Sequence, residues 1–390
     1  MVASMMESVP LPAEQRQWSA PEPVELADGS HLRIYKDGAA LNAALHAISQ
    51  AKRLIALEVY IFRSDQTGRA FADALCQRSR HGVKVFVIYD SFGSFDTRAD
   101  LFEQMRSAGV RVVEFHPMLP WNCHHAWRPA NRNHRKLLLI DDNIAGMGGL
   151  NIGDEYAGKG ADLRWRDNAI AVVGPSSRPL FHAFAHTWHY CRHGGRIRQA
   201  QYIHQPTPQD GALGVMASVP TTNSRLRPWL YGIVRQARWS IDLSMAYFAP
   251  DDALIRELCL AGQRGVRLRL LLPGRTDHAL LRAAGRSFYE TLMNAGAEIY
   301  EWNGEMLHAK TMVIDRQISI VGSANLDHRS IEYNLELSTI IHSQPFAGHL
   351  TDLFEFDTTL STAISLETWR YRPIRDRFVQ WAVSRARYWL

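Results

Sequence analysis

The chain contains 390 residues, of which 46% are hydrophobic and 21% are charged. This composition is that of an ordinary globular protein and excludes a disordered or fibrous chain, while the length predicts two to three domains at roughly 150 residues each. Lys and Arg outnumber Asp and Glu by 44 to 39, a mild excess that favours an anionic partner without identifying it.

The N-terminal residues and the cysteines bear on the compartment. Residues 1–30 predict a flexible tail, because the segment is rich in proline and has neither the basic start nor the apolar stretch of a secretion signal. No uncharged apolar run approaches the roughly 18 residues that a membrane span needs. Four cysteines, spread too widely for a disulfide framework, favour a reducing compartment.

The first half of the chain alternates strands and helices. Residues 53–62 form an apolar, strand-like run, and a helical stretch leads from it to a β-branched strand at 81–90. A second helical stretch precedes a strand at 107–115. This order of strand, helix, strand, helix and strand predicts an α/β sheet covered by helices.

The second half repeats the same order. Residues 240–249 match the first strand-like run, with Tyr247 placed 187 residues after Tyr60. Residues 294–302 match the third strand of the first half at the same separation. Self-similarity over this length predicts two similar α/β halves within one chain.

A third match sets residues 307–325 against 133–151 at a separation of 174. The separation has fallen by 13 residues, so the first half carries an insertion of that length within 116–133. We interpret the insertion as a loop over the mouth of the site, with Trp121 and Trp127 contacting substrate or lipid. A metal site built from its histidines and cysteine is the alternative.

These matches predict two domains, 31–200 and 201–366, with the boundary inside the Gly-, Gln- and Pro-rich stretch 193–210. A basic aromatic segment, 367–390, follows them. It contains six arginines against two acidic residues, and Pro373 can open a helix at its first turn. The apolar stripe of that helix consists of Ile374, Phe378, Trp381 and Tyr388. The stripe predicts either a helix docked on the core or one that lies in a membrane interface.

The third repeated segment has the form H-x-K-x-x-x-x-D followed by G-[GS]-x-N. The motif residues are His134, Lys136, Asp141, Gly148, Gly149 and Asn151 in the first copy and His308, Lys310, Asp315, Gly322, Ser323 and Asn325 in the second. On a strand, residues two apart share a face, so the His and Lys of each copy project together. A polar turn then returns the chain and brings the Asn beside the His.

Two copies of this motif can perform phosphoryl chemistry if the halves face each other. Imidazoles attack or donate protons near neutral pH, and ammonium and amide groups hold phosphodiester oxygens. A single copy could be the exposed face of an amphipathic strand. A chance match to five fixed positions is on the order of one in thousands for this length, so two copies at equivalent positions reject that alternative.

At these residues the sequence resembles the phospholipase D superfamily, whose repeated HKD motif has this form. The flanking strings GGLNIGDEY (148–156), WRDNAIAVVGP (165–175) and GSANLDHRSIEYNLE (322–336) are similar to bacterial cardiolipin synthases, in particular the shorter ones that lack N-terminal membrane spans. The resemblance implies an α/β fold of two pseudo-repeated phospholipase D-like domains, each a mixed β-sheet flanked by helices, with one active site between the halves.

The resemblance also implies that one histidine becomes a phosphohistidine and that the other protonates the leaving alcohol. We assign His134 as the nucleophile and His308 as the general acid, following the usual order in the superfamily, which is reversible. The residues implied to bind the substrate phosphate are Lys136, Lys310, Asn151, Ser323 and Asn325. No metal or other cofactor is expected, because the two lysines supply the charge that Mg²⁺ would bring.

Four carboxylates accompany the motifs. Glu336, eleven residues after Asn325, sits where the superfamily places a carboxylate that orients the second histidine, and Asp167 is the first-half candidate. Asp141 and Asp315 complete the two motifs and are grouped with the catalytic residues. We expect these two to brace the fold or to pair with the opposite half.

The function implied is transfer of a phosphatidyl group, through a phosphohistidine, to the hydroxyl of a phosphatidylglycerol. The closest alternative is a phospholipase D that releases phosphatidic acid to water, followed by a phosphodiesterase or nuclease and by a non-catalytic lipid-binding scaffold. Expected partners are phospholipids and an anionic membrane surface, without nucleic acid, at the cytoplasmic side of the inner membrane. The oligomeric state is left open.

Overall fold

A computed structural model of the chain describes residues 18–119, 130–158, 165–192, 202–204, 213–218 and 226–386. The strands of the first half are β1 (Val24–Glu25), β2 (His31–Lys36), β3 (Leu54–Val59), β4 (Lys84–Asp90), β5 (Arg111–Phe115), β6 (Leu137–Ile140), β7 (Ile144–Gly148), β8 (Trp165–Arg166) and β9 (Asn168–Val173). Its helices are α1 (Ala39–Gln50), α2 (Gln66–Arg80), α3 (Ala99–Ser107), α4 (Asp154–Ala157) and α5 (Arg178–Arg192).

The second half has the same plan. Its strands are β10 (Tyr202–His204), β11 (Leu213–Ser218), β12 (Ser240–Met245), β13 (Arg267–Pro273), β14 (Glu298–Trp302), β15 (Met306–Leu307), β16 (Lys310–Ile314), β17 (Ile318–Gly322), β18 (Glu336–His342) and β19 (Ser361–Ile364). Its helices are α6 (Leu226–Gln236), α7 (Asp252–Gln263), α8 (Ala279–Arg286), α9 (Tyr289–Asn294), α10 (His328–Glu332), α11 (Gln344–Thr359), α12 (Leu366–Arg370) and α13 (Ile374–Ala386).

Each half forms one mixed sheet. The first sheet has the order β1-β2-β9-β7-β6-β3-β4-β5, and the second has β10-β11-β18-β17-β16-β12-β13-β14-β19. In both, the three strands connected by helices are parallel (β3, β4 and β5; β12, β13 and β14), while the hairpin that carries the motif is antiparallel. The predicted fold class of two repeated α/β halves is confirmed.

Equivalent helices in the two halves begin and end with the same residue types. The Asp65 side chain caps α2 by accepting the Gly68 N–H at 2.9 Å, and Asp251 caps α7 through the Leu254 N–H at 2.8 Å. Just past the two helices, Gly82 and Gly265 adopt φ of 86° and 89°, a left-handed conformation that favours glycine. The local sequence therefore sets the start and the end of α2 and, in the same way, those of α7.

Three hydrophobic clusters explain why the central strands are apolar on both faces. Helices α1 to α3 cover the outer face of the first sheet, and α6, α7 and α9 cover that of the second. The inner faces of both sheets share one core with α5 and α11, in which Leu137 and Leu139 of β6 join Val313 of β16 and Phe346 of α11. The halves are thus fused through an apolar interior.

A buried ion pair also joins the halves. The Arg166 guanidinium contacts the Asp357 carboxylate at 2.6 Å, and both side chains are buried.

Two of the predicted segments lie largely outside the described ranges. These are the domain boundary within 193–210 and most of the insertion, including Trp121 and Trp127. Within the described ranges, the chain contains no helix with the length and apolar character of a membrane span.

Candidate active site

The two repeated motifs meet where the sheets join. The His134 N–H donates to the Leu335 carbonyl at 2.9 Å, and the His308 N–H donates to the Arg166 carbonyl at 2.7 Å. Each motif therefore enters the site through a backbone hydrogen bond to the opposite half. Both histidine side chains are buried.

The first histidine faces an ionised carboxylate. His134 Nδ1 lies 3.1 Å from both Glu336 oxygens and 3.1 Å from the Ser323 carbonyl. Burial raises the pKa of Glu336, but His134, Lys136 and the Ser323 hydroxyl outweigh burial and leave the pKa below its ordinary value. Burial lowers the pKa of His134. The hydrogen-bond network thus assigns a neutral imidazole that donates Nδ1–H to Glu336 and keeps the Nε2 lone pair available.

The second histidine shares a proton with its carboxylate. His308 Nδ1 lies 2.7 Å from Asp167 Oδ2. Burial raises the pKa of Asp167 to about 7, against the opposing charge of Lys310 and the hydrogen bond from the Asn168 N–H. The Asp167–His308 pair therefore retains a proton near neutral pH, which is the property of a general acid.

The pairing of carboxylates with histidines is crossed between the halves. The sequence analysis assigned Glu336 to the second histidine and Asp167 to the first half, and this assignment is wrong. Glu336 follows Leu335, the residue bonded to the His134 backbone, and Asp167 follows Arg166, the residue bonded to the His308 backbone. The backbone contacts between halves thus carry each carboxylate to the other half's histidine.

The two lysines occupy matching positions behind the histidines. Lys136 Nζ donates to the His134 carbonyl at 2.7 Å and lies 5.1 Å from the centre of the Tyr60 ring, while Lys310 Nζ donates to the His308 carbonyl. Burial lowers the pKa of Lys136 well below its ordinary value and that of Lys310 to about 8. A bound phosphate would restore both pKa values and gain two charge-assisted contacts.

The three polar residues predicted to bind phosphate differ in their surroundings. Ser323 donates its hydroxyl to Glu336 at 2.5 Å. Asn151 accepts the Ile61 N–H at 3.1 Å and donates to the Tyr156 hydroxyl at 2.8 Å. These contacts tie both side chains to the framework of the site, and their role in phosphate binding stays a prediction. Asn325 Oδ1 is buried without a partner among the described residues, so its role in phosphate binding stays a prediction.

Asp141 and Asp315 lie away from the histidines, at the turns that follow β6 and β16. Asp141 accepts the N–H groups of residues 52–54 at 2.7 to 2.9 Å, and Asp315 accepts those of residues 238–240 at 2.6 to 3.1 Å. They brace their own halves and pair with neither the opposite half nor the site. Grouping them with the catalytic residues is therefore corrected.

Aromatic rings form the walls around the histidines and were missed as site residues. The Tyr60 ring centre lies 4.9 Å from that of His134, and the rings of Trp165, Tyr156 and Tyr247 lie 5.3, 5.5 and 6.3 Å from that of His308. The recurrence of Tyr60 as Tyr247 in the second half was the sequence signal that could have identified these two tyrosines as site residues. Apolar walls lower the local polarity and strengthen the charged contacts inside.

Comparisons with known proteins show which family this chain belongs to. A family model described as cardiolipin synthase, PLD-like domain, matches residues 44–173 and 230–358. A cardiolipin synthase of Alkalihalophilus pseudofirmus is 33% identical over 358 residues, which cover 90% of this chain and 70% of the relative. Cardiolipin synthase 1 of Bacillus cereus is 33% identical over 349 residues, which cover 86% and 68%.

Solved structures share the fold at low sequence identity. A crystal structure of phosphatidylserine synthase from Haemophilus influenzae superimposes with a TM-score of 0.71 and 12% identity, covering 94% of this chain and 97% of that one. Polyphosphate kinase from Porphyromonas gingivalis gives a TM-score of 0.55 at 15% identity, covering 84% and 50%. At these identities the likeness establishes the architecture alone.

Proposed function

Because the chain belongs to the cardiolipin synthase family of phospholipase D-like proteins, we propose that it is a phosphatidyltransferase that joins a phosphatidyl group to the hydroxyl of a phosphatidylglycerol. The observation that carries this proposal is the crossed pair of histidines: His134 is hydrogen-bonded to Glu336, whose pKa lies below its ordinary value, and His308 is hydrogen-bonded to Asp167, whose pKa is raised to about 7 by burial. His134 can thus attack phosphorus, and His308 can donate a proton to an alcohol oxygen or accept one from it.

In the first step, His134 Nε2 forms a bond to the phosphorus of the donor phospholipid while the bond from phosphorus to the headgroup oxygen breaks. The Asp167–His308 pair gives its proton to that oxygen, and a glycerol leaves when the donor is phosphatidylglycerol. Lys136 and Lys310 stabilise the negative charge that develops on the non-bridging oxygens. Glu336 stabilises the positive charge on the His134 ring.

In the second step, the acceptor hydroxyl gives its proton to His308, and its oxygen attacks the phosphorus as the nitrogen–phosphorus bond breaks. The product carries two phosphatidyl groups on one glycerol, and His134 returns to its neutral form. Incubating purified protein with phosphatidylglycerol vesicles and analysing the lipids by mass spectrometry tests this proposal. Cardiolipin and free glycerol support it, whereas phosphatidic acid as the sole product would identify the hydrolase instead.

Removing either lysine should slow the reaction about 10²-fold or more, by analogy with the loss of a single oxyanion donor. Lys136→Ala and Lys310→Ala remove a contact with the charge that develops at phosphorus, so kcat should fall further than the affinity for substrate. The wild-type rate should survive EDTA, since the lysines supply the charge. Loss of turnover with EDTA that Mg²⁺ restores would contradict this prediction.

The rate of transfer should fall as the pH rises above about 7. The Asp167–His308 pair must hold a proton to protonate the leaving oxygen, and burial raises the pKa of Asp167 to about 7. The protonated form is therefore present below this pH and is lost above it, so kcat should decline roughly tenfold per pH unit on the alkaline side. A pH–rate profile measured on saturating vesicles checks this, and a rate that keeps rising to about pH 9 would contradict it.

We also propose that the C-terminal helix contacts the membrane, which places the protein peripherally at its substrate. Helix α13 lies against α8 and buries Gln380. The predicted apolar stripe instead faces outward, with Ile374, Phe378 and Trp381 exposed to 81%, 65% and 56%. This orientation supports the interfacial interpretation over docking on the core. Tyr388, the fourth residue of the stripe, lies outside the described ranges.

Replacing Phe378 and Trp381 with serine should weaken binding to phosphatidylglycerol vesicles about tenfold or more, because two aromatic side chains no longer enter the interface. Both side chains are exposed, so the variant should remain folded. Replacing the exposed Leu260 of α7 with serine is the matched control and should bind like the wild type. Vesicle sedimentation at low and high salt measures the effect, and equal binding by all three proteins would contradict the proposal.

A further inference from the structure

One carboxylate that contacts the aromatic wall around His308 takes no part in the steps above. Asp277 lies in the loop between β13 and α8, and the Tyr247 hydroxyl donates to its two oxygens at 2.8 and 2.9 Å. Thr276 donates to Oδ1 at 3.3 Å, and His278 Nε2 lies 3.7 Å from Oδ2. The Asp277 side chain is 38% exposed, so a ligand in solvent can reach it.

Asp277 belongs to the wall of the reaction centre. Its partner Tyr247 lies with its ring centre 6.3 Å from that of His308. Burial lowers the pKa of His308 well below its ordinary value, Lys310 and Lys136 lower it further, and the Asp277 charge opposes them. The same carboxylate opposes the lowering of the Lys310 pKa. Asp277 is therefore linked to His308 through Tyr247 and acts electrostatically on both His308 and Lys310.

Among the described residues, the carboxylates that contact the two histidines already have partners. Glu336 and Asp167 are buried and hold the two histidines. Asp90 ends β4, just before the first-half loop that corresponds to the one carrying Asp277, and it is buried beside Arg132 at 3.4 Å while it accepts three backbone N–H groups at 2.8 to 3.0 Å. Among the described residues, no Lys or Arg lies within ion-pair distance of Asp277. The two halves thus differ at this loop.

We propose that Asp277, held in place by Tyr247, is a binding site for the non-reacting hydroxyl of a glycerol headgroup. The inference rests on the proposed transferase function and assigns the specificity of its alcohol side. An ionised carboxylate accepts several hydrogen bonds, and Tyr247 and Thr276 leave acceptor capacity unused. A glycerol that presents one hydroxyl to His308 can donate a second to Asp277, whereas a monohydric alcohol or water cannot fill both positions.

This geometry predicts a preference among acceptors. A hydrogen bond to a charged group is stronger than one between neutral groups, so the contact should favour glycerol over a monohydric alcohol by about tenfold or more. Asp277→Asn keeps the size of the side chain but removes the charge, and its amide nitrogen cannot accept. Tyr247→Phe should lower the preference less, because the carboxylate remains but is no longer held.

The test is a competition for the phosphohistidine intermediate. Phosphatidylglycerol vesicles are incubated with deuterated glycerol and 1-propanol together, and mass spectrometry gives the ratio of labelled phosphatidylglycerol to phosphatidylpropanol. Both products arise from one intermediate, so this ratio is independent of the first step and of the folded fraction of each variant. Asp352→Asn, which removes the exposed carboxylate paired with Arg316, is the matched control and should keep the wild-type ratio.

The expected result is a ratio that falls about tenfold or more in Asp277→Asn while phosphatidylpropanol continues to form. An unchanged ratio would overturn the inference. A parallel loss of both products would overturn it as well, since Asp277 would then act on the reaction and not on the choice of alcohol. Failure of the wild type to form cardiolipin from the same vesicles would instead sink the transferase on which the inference rests, whereas cardiolipin without either alcohol product would overturn the inference alone.

Discussion

Replacing His134 with alanine should abolish covalent labelling by a phospholipid whose phosphatidyl group is labelled, and should lower the rate of transfer about 10⁴-fold or more. The reason is that His134 Nε2 is the atom proposed to attack phosphorus. Among the described residues, no other side chain in the site combines a free lone pair with an ionised carboxylate on its far nitrogen. Acid-free quenching of the reaction, followed by mass spectrometry of the protein, measures the label.

The matched variant is His308→Ala, which removes the proton donor from the other half. This variant should also be slow, but it should retain label, because the acceptor alcohol is no longer deprotonated efficiently and the intermediate accumulates. Label in His134→Ala together with its loss in His308→Ala would reverse the assignment of the two histidines. Label in neither variant nor in the wild type would count against a covalent mechanism.

Replacing Glu336 with glutamine should lower the rate about 10³- to 10⁴-fold, comparable to the loss of the aspartate in a catalytic triad. Glu336 belongs to the second half but holds the Nδ1–H of His134 in the first. A neutral amide in its place no longer stabilises the positive charge that His134 acquires on attack. Rapid-quench labelling should therefore show slower formation of the intermediate.

Asp167→Asn is the counterpart on the other side. It should slow both proton transfers at His308 and remove the loss of activity above about pH 7, while the intermediate remains detectable. The two variants thus separate the role of Glu336 in forming the intermediate from the role of Asp167 in proton transfer. If Glu336→Gln changed the alkaline side of the pH–rate profile and Asp167→Asn abolished labelling, the two histidines would have exchanged roles: His308 would be the nucleophile and His134 the general acid.

Much of this architecture could be predicted from the sequence because it depends on local periodicity. The alternation of strands and helices, the repeat of Tyr60 at Tyr247 and the two motif copies each lie within short segments. A His two residues before a Lys on a strand places both on one face, wherever the strand lies in the fold. The helical segment after Pro373 was likewise visible in the sequence, but the exposure of its stripe depended on how α13 packs against α8.

The sequence by itself determined the two α/β halves and the histidines and lysines that they bring together. Only the tertiary structure decided which carboxylate holds which histidine, since Asp167 and His308 are 141 residues apart and Glu336 and His134 are 202 apart. It also decided that Ser323 is bonded to Glu336, that Asn151 is bonded to Tyr156 and that Asp277 is bonded to Tyr247. Such assignments depend on hydrogen bonds between distant segments, and these form only when the two sheets close on their shared apolar core.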